Sequence, residues 1–281
     1  MYQPSIAPSA RDAATLAIAL CAAGTAAAAD GLDVLSQNAW LRIGAFRPSI
    51  DTTARIDDVA GSTIGTELNF EDLGLPKKKT LPTLLLGARL GHAWRAEFEY
   101  FQLRRSGRAT LDREIQVDDT VFPVAAELDS SVRSDIYRAS GGYSFVRTPL
   151  LEVGAVLGLH VTTFDLALRG TISTPGQPAS TASEQKKQTV PLPTIGLYAA
   201  FVVAPGWQAT GRVDYFSLRQ GDYDGRLINA QANLIYRITP QAGVGVGWRL
   251  DDYRIEATKT SFRGEVEYKF RGPQAFVEFS Y

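Results

Sequence analysis

Pro273-Gln274-Ala275-Phe276-Val277-Glu278-Phe279-Ser280-Tyr281 (PQAFVEFSY) closes the chain, and its reading decides the fold. Counting back in twos gives Tyr281, Phe279, Val277 and Ala275 on one face, with Ser280, Glu278 and Phe276 between them. A period of two is that of a β-strand with one apolar and one more polar face. A strand ending a soluble sheet would show the same period, so this stretch acquires its meaning from the strands before it.

The same alternation recurs back along the chain. It is cleanest at Trp94, Ala96, Phe98 and Tyr100, which alternate with Arg95, Glu97 and Glu99. Further strands are expected over Trp40–Asp58, Leu81–Gly91, Leu128–Phe145, Leu151–Thr171, Leu192–Val203 and Trp207–Leu218, then around Ile228–Arg237 and Ala242–Leu250, and finally Thr260–Tyr281. The strand begun at Trp94 is expected to continue past Gly107 to Val117. Tight turns fall at His92, Arg147–Pro149, Pro205-Gly206 and Thr239–Gln241. Long loops fall at Gly61–Thr80, Asp118–Ala126 and Ser173–Thr189, the first with a short helical turn at Glu71-Asp72-Leu73-Gly74.

Short connections at one end and long ones at the other are the pattern of a membrane-spanning barrel. In hydrocarbon every backbone N–H and C=O must be paired, so a spanning sheet has to close on itself. The expected fold is therefore all-β, an antiparallel up-and-down transmembrane β-barrel of ten strands, with eight or twelve as the alternatives. An aromatic girdle is expected from Trp94, Tyr143, Trp207, Tyr236 and Trp248. In the last strand, Val266, Tyr268 and Phe270 are out of phase with Ala275, Val277, Phe279 and Tyr281. A β-bulge at Gly272-Pro273 is expected to restore one outward face and preserve the even count.

Composition narrows the function. The chain has 281 residues and a formal net charge of −1, so no nucleic-acid partner held by positive charge is expected. No run approaches the ~18 apolar residues of a membrane helix. His92, His160 and Cys21 are the only residues of their types, which leaves little for a His/Cys metal site and no internal disulfide; no cofactor is expected. Arg11, the apolar stretch Ala13–Ala23 and the ending Ala27-Ala28-Ala29-Asp30 read as a secretory signal cut after Ala29. Residues 1–29 are thus the signal and 30–281 the barrel. Leu20 before Cys21 argues against a lipoprotein signal.

Sorting by phase places Arg42, Arg89, Arg95, Glu97, Glu99, Arg138, Arg212, Asp214, Arg237, Arg249, Glu265, Glu267, Lys269 and Glu278 in the lumen. A barrel of this size has little spare interior, so mixed charges there should pair and leave a plugged or very narrow lumen. An ion-selective channel with charged walls is the alternative. Catalysis is disfavoured. His160 is followed by Val161-Thr162, without the His-x-Ser arrangement of outer-membrane lipid A deacylases, and His92 sits in a turn. The acidic pairs Asp57-Asp58, Asp118-Asp119 and Asp251-Asp252 read as solvated loop charges, and Lys77-Lys78-Lys79 as a solvated loop in preference to a dock for anionic lipid head groups.

With its alternating strands, Ala27-Ala28-Ala29 signal ending and aromatic terminus, the chain resembles small proteobacterial outer-membrane β-barrels of the OmpA/OmpW type. The loop Gln220–Gly225 and Arg271-Gly272-Pro273 look like recurring pieces of one branch of them. The resemblance implies export to the bacterial outer membrane, contact with outer-membrane lipid and lipopolysaccharide, and a C-terminal signal (Val277, Phe279 and Tyr281) read by the barrel assembly machinery. For OmpW-like members it also implies passage of small hydrophobic molecules. The expected function is a non-enzymatic barrel that is structural, or a narrow conduit or binding barrel for small molecules. The alternatives are an ion-selective porin-like channel, and an outer-membrane lipid-modifying enzyme or protease.

Overall fold

The computed structural model describes residues 35–57, 65–117, 120–172, 180–220, 223–259 and 262–281. The expected signal segment, Asp58 and the pair Asp118-Asp119 lie outside them. The strands are β1 (Ala39–Phe46), β2 (Ser49–Asp57), β3 (Leu68–Asn69), β4 (Leu81–Leu90), β5 (Trp94–Thr110), β6 (Ile115–Val117) and β7 (Thr120–Phe122). They continue with β8 (Glu127–Arg147), β9 (Leu151–Ile172), β10 (Ser180–Ala204), β11 (Trp207–Gln220), β12 (Tyr223–Thr239), β13 (Ala242–Lys259) and β14 (Phe262–Ser280).

Ten staves close into an antiparallel barrel. The order runs β1, β4, β5, β8, β9, β10, β11, β12, β13, β14, and β14 then pairs back to β1. β1 and β2 form one stave. Arg47-Pro48 interrupts the ladder between them, but Phe46 faces Gln274 and Ser49 faces Arg271, so the register is unchanged. Closure removes the unpaired backbone that an open sheet would leave. The tight turns share one end with the C-terminus: Tyr281 accepts through its carbonyl from Asn38 and Ala39 there. Gly91 and Gly206 supply the left-handed φ that two of these turns require.

β14 departs from expectation in an informative way. Its pairing with β13 runs without a shift from Phe279 opposite Ala242 to Phe262 opposite Lys259. There is no bulge at Gly272-Pro273, yet it is one strand and the count of ten stands. Even-numbered residues point inward along its whole length: Ser280, Glu278 and Gly272 low down, Phe270, Tyr268 and Gly264 higher up, all buried. Chemical character changes while direction does not. Glu265, Glu267 and Lys269, expected in the lumen, therefore lie on the outer face, where Glu265 pairs with Arg254 and Lys269 with Glu267.

The same inversion runs round the barrel. On β8, Tyr137 and Tyr143 face outward beside inward Arg138, but above them Arg133 and Asp129 are outside while Val132 and Leu128 are buried. On β13, Val244, Val246 and Trp248 give way to Asp252, Arg254 and Glu256 on the outside, and Arg249 and Asp251 to Tyr253 and Ile255 on the inside. The barrel has a lower half that is apolar outside and charged inside, and an upper half that is polar outside and apolar inside.

Two inward-folded segments fill the upper half. Phe70, Leu73 and Leu75, from the stretch between β3 and β4, join the interior core, as do Ile115, Val117 and Phe122 of the β6–β7 hairpin. Glu71–Gly74, expected as a short helical turn, is a single hydrogen-bonded turn outside any helix, with Gly74 N–H donating to the Glu71 carbonyl. The strand from Trp94 ends at Thr110 because the chain turns inward there to build this hairpin. Ser180–Thr189 is not loop but the upper part of β10, in register with β9 from Ile172 to Thr163. β10 leaves β11 early: no pairing among the described residues extends above Ile195 opposite Tyr215. Pro193 and Pro191 follow at that point, each lacking the N–H a ladder needs.

Candidate functional site

The lumen is where the chain concentrates its unusual chemistry. Inward positions on six of the lower staves carry arginine and carboxylate side chains, and these join into one sequence of alternating charge. Arg89 bonds Glu152 (2.8 and 2.5 Å), and Glu152 lies 3.9 Å from Arg95. Arg95 bonds Glu97 (2.5 Å), and Glu97 bonds Arg212 (2.5 Å). Arg212 grips Asp214 with two nitrogens (2.8 and 2.9 Å), and Asp214 meets Arg138 at 3.1 Å. Arg138 reaches Glu99 at 3.0 Å, Glu99 accepts from Arg249 at 2.6 Å, and Arg249 holds Asp251 at 2.8 Å. A second cluster joins Arg42 to Glu278 (2.5 Å) and Glu278 to Arg237.

Burial explains why the network is continuous. An isolated charge taken out of water is expensive, and a paired, hydrogen-bonded one much less so. Arg249 and Asp251 are fully buried and Arg138 is 2% exposed, so any gap in the series would strand a charge. Arginine suits this role because its planar fork offers five donors in fixed directions, which lets one side chain bridge two carboxylates. Flat aromatic faces complete the packing. Arg95 lies between the rings of Trp40 (4.8 Å) and Tyr198 (4.4 Å), and Arg249 lies over Phe101 (4.4 Å).

Both ends of this charged layer are covered. Below it, Leu35–Asn38 crosses the mouth: Arg89 donates to the carbonyls of Leu35 (3.1 Å) and Gln37 (2.9 Å), and Arg237 to the Gln37 side chain (2.7 Å). Above it stands the apolar core. Between the two, the Tyr253 hydroxyl and His160 Nε2 are 2.6 Å apart, and Ser134 bonds Tyr268 at 3.1 Å. Phe270 then packs against Phe101, Tyr253 and Tyr268 with ring centroids 5.4–6.5 Å apart.

Eleven of the fourteen expected lumenal residues enter these clusters; Glu265, Glu267 and Lys269 are the three outside. Phase could have found Glu152, which shares the inward face of β9 with Gly154, Gly158 and His160. It could also have moved Asp251 from a loop pair to the inward face of β13. Val277, Phe279 and Tyr281 face outward and are exposed, as are Trp94, Tyr143, Trp207, Tyr236 and Trp248. Trp94 packs on Tyr143 (5.1 Å) and Trp207 on Tyr236 (4.9 Å), both pairs at the short-turn rim. Trp248 sits at the height where the outer face turns polar.

His160 is buried, its Nδ1 has no hydrogen-bond partner among the described residues, and His92 is exposed in the β4–β5 turn. Among the described residues no three His, Cys, Asp or Glu side chains stand together as metal ligands.

No protein-family model matches the sequence, and no curated protein matches it. Among solved structures, the outer-membrane protease OmpT of Escherichia coli aligns over 87% of this chain and 97% of its own, at 11% identity and a TM-score of 0.55. The Pseudomonas putida toluene transporter TodX (11% identity, 88% and 91% covered, TM-score 0.36) and the translocator domain of the Neisseria meningitidis autotransporter NalP (12%, 96% and 96%, 0.39) align less well. At these identities and scores only the first carries weight, and what it shows is the fold: a closed antiparallel barrel.

Proposed function

We propose that the chain is an outer-membrane β-barrel with a sealed lumen: a structural, surface-presenting protein, neither a pore nor an enzyme. The observation that carries this is the interior itself, an unbroken series of ion pairs beneath an apolar core. A hydrated conduit would leave charges facing water, whereas here each guanidinium of the series is committed to carboxylates. His160 Nε2 is engaged by the Tyr253 hydroxyl at 2.6 Å, and its Nδ1 meets no carboxylate among the described residues to orient it as a base.

The outer face supports the location. Its apolar stretch on the last stave, Pro273–Tyr281, is nine residues. At ~3.4 Å rise and a tilt of ~40°, this spans about 23 Å, against the ~25 Å apolar band of outer-membrane barrels. Short turns and both described chain ends lie at the bottom of that band, the arrangement of a periplasmic side. The upper half then stands in water outside the cell, which accounts for the inversion of its faces.

Planar-bilayer recording tests the sealed lumen. The refolded protein should give no current steps above background, and uniform steps would overturn the proposal. Heating before electrophoresis should shift the mobility of a membrane barrel, and an unshifted, detergent-independent protein would remove the location. His160→Ala should leave surface lipid and peptide substrates as untouched as the unaltered protein does; any turnover lost with His160 would reinstate an enzyme.

A further inference from the structure

The outer face carries a cationic patch that the sealed lumen does not use. It lies on three neighbouring staves just above the apolar band. Lys78 bridges to Ser49, and Ser49 faces Arg271 in the β2–β14 register, so the three form one cross-strand row. Arg47 lies two residues below Ser49 on the same side, opposite Pro273, and donates its backbone N–H to the Pro273 carbonyl (2.9 Å). Lys77 and Lys79 flank the row, and the Lys77 carbonyl is fixed by Ile50 N–H at 2.8 Å. Arg47, Lys77, Lys78, Lys79 and Arg271 are all exposed, and none has a carboxylate partner among the described residues. This contrasts with Arg254, Arg133 and Lys269 on the same outer face, which are each paired. The nearest acid on these staves is Asp51, one outward step higher and opposite Lys269.

Height gives the patch its partner. Directly beneath it on the same staves stand Ala45, Ile43, Pro82, Leu84, Ala275 and Val277, the apolar band itself. In the membrane proposed above, charges at that rim meet the head groups of the outer leaflet. Staves are ~4.8 Å apart, so Lys78 and Arg271 flank the small Ser49 at about 10 Å between backbones, a width that holds one phosphate between two cations and a hydroxyl. We infer that Lys78, Ser49, Arg271 and Arg47 form a binding site for the phosphate of an outer-leaflet phosphorylated glycolipid. Unpaired cations at a membrane surface are attracted to anionic lipid, and a small hydroxyl between them adds a directed donor. The site rests on the membrane reading and adds a specific lipid chemistry to it.

The test reconstitutes the full chain into phosphatidylethanolamine vesicles carrying either bis-phosphorylated lipid A or the same lipid with its phosphates removed. The vesicles are floated, extracted in mild detergent, and the lipid retained on the protein is counted by mass spectrometry. The unaltered protein should retain the phosphorylated form and not the phosphate-free one, and millimolar inorganic phosphate should not displace it. The triple variant Arg47→Gln, Lys78→Gln, Arg271→Gln should lose retention at least ten-fold. A control triple on remote staves (Arg169→Gln, Arg133→Gln, Arg226→Gln) should keep it. Equal retention of both lipids, retention by the patch variant within two-fold of the unaltered protein, equal loss in the control, or displacement by free phosphate each overturns the site while leaving the barrel in the membrane. Failure to float with either vesicle would remove the membrane reading and the site together.

Discussion

Glu99→Gln is the sharpest probe of the sealed interior. Glu99 is 5% exposed and bridges Arg249 at 2.6 Å and Arg138 at 3.0 Å. Breaking a buried ion pair generally costs ~3–5 kcal/mol, because a charge is left without compensation. Here Arg249 keeps Asp251 and Arg138 keeps Asp214, which places the expected loss near the lower end, about 3 kcal/mol. Arg249→Met, retaining apolar length over the Phe101 ring, completes a double-mutant cycle with an expected coupling of about 2 kcal/mol. The assay is urea unfolding of the refolded protein in micelles, followed by tryptophan fluorescence. Salt makes the measurement discriminating. Desolvated pairs are screened far less than exposed ones, so the Glu99–Arg249 coupling should survive molar salt, whereas that of the solvent-facing pair Arg108–Asp129 should vanish. A coupling below about 0.5 kcal/mol, or one that falls with salt as the exposed pair does, would mean that water fills the lumen.

Phe270→Ala removes a fully buried ring from the upper core and should cost ~3–5 kcal/mol by urea unfolding while leaving vesicle flotation intact. Loss of flotation would show that this half is not independent of the apolar band. Gly87→Val places a side chain where even a Cβ would lie 2.0 Å from the Trp40 ring, and should destabilise by ~1–3 kcal/mol in the same assay, with the indole emission shifted. Deleting Tyr281, whose carbonyl accepts from Asn38 and Ala39, should reduce the heat-modifiable fraction in isolated membranes, and an unchanged fraction would deny it a part in assembly. Burial pushes the Tyr268 hydroxyl up to about 12, in the half that stands above the band. Since its folded value exceeds the ordinary 10.0, its contribution is intact below pH 10 and lost as pH rises toward 12, by roughly 2–3 kcal/mol. An alkaline unfolding midpoint unchanged in Tyr268→Phe would contradict this.

Strand parity made the barrel and most of its charged interior legible in the sequence. Arg95, Glu97 and Glu99 fall between outward aromatics with no ambiguity. The upper half was harder because its faces exchange character without any change in backbone phase. Pattern alone reads the flip at Gly272-Pro273 as an inserted residue, and so turns Glu265, Glu267 and Lys269 inward. Hydropathy reports which solvent a face meets, and in the membrane proposed above these strands would meet two solvents in turn. Ser180–Thr189 was unreadable for a related reason. Near the rim both of its faces are largely polar, so no period survives, and only its pairing with β9 reveals a strand. Glu152 shares the inward phase of β9, but as a lone carboxylate on a glycine-rich face it shows no sign of its partners Arg89 and Arg95, which arrive from other staves.

The early separation of β10 from β11 has a consequence for neighbouring molecules. In the membrane proposed above, an exposed strand edge would be a template onto which another copy could stitch its own backbone, extending sheet from one barrel to the next. Pro191 and Pro193 stand where that edge begins, and a strand with two donors missing in close succession makes a poor template. The same two residues that let the rim spread also keep it from recruiting its neighbours.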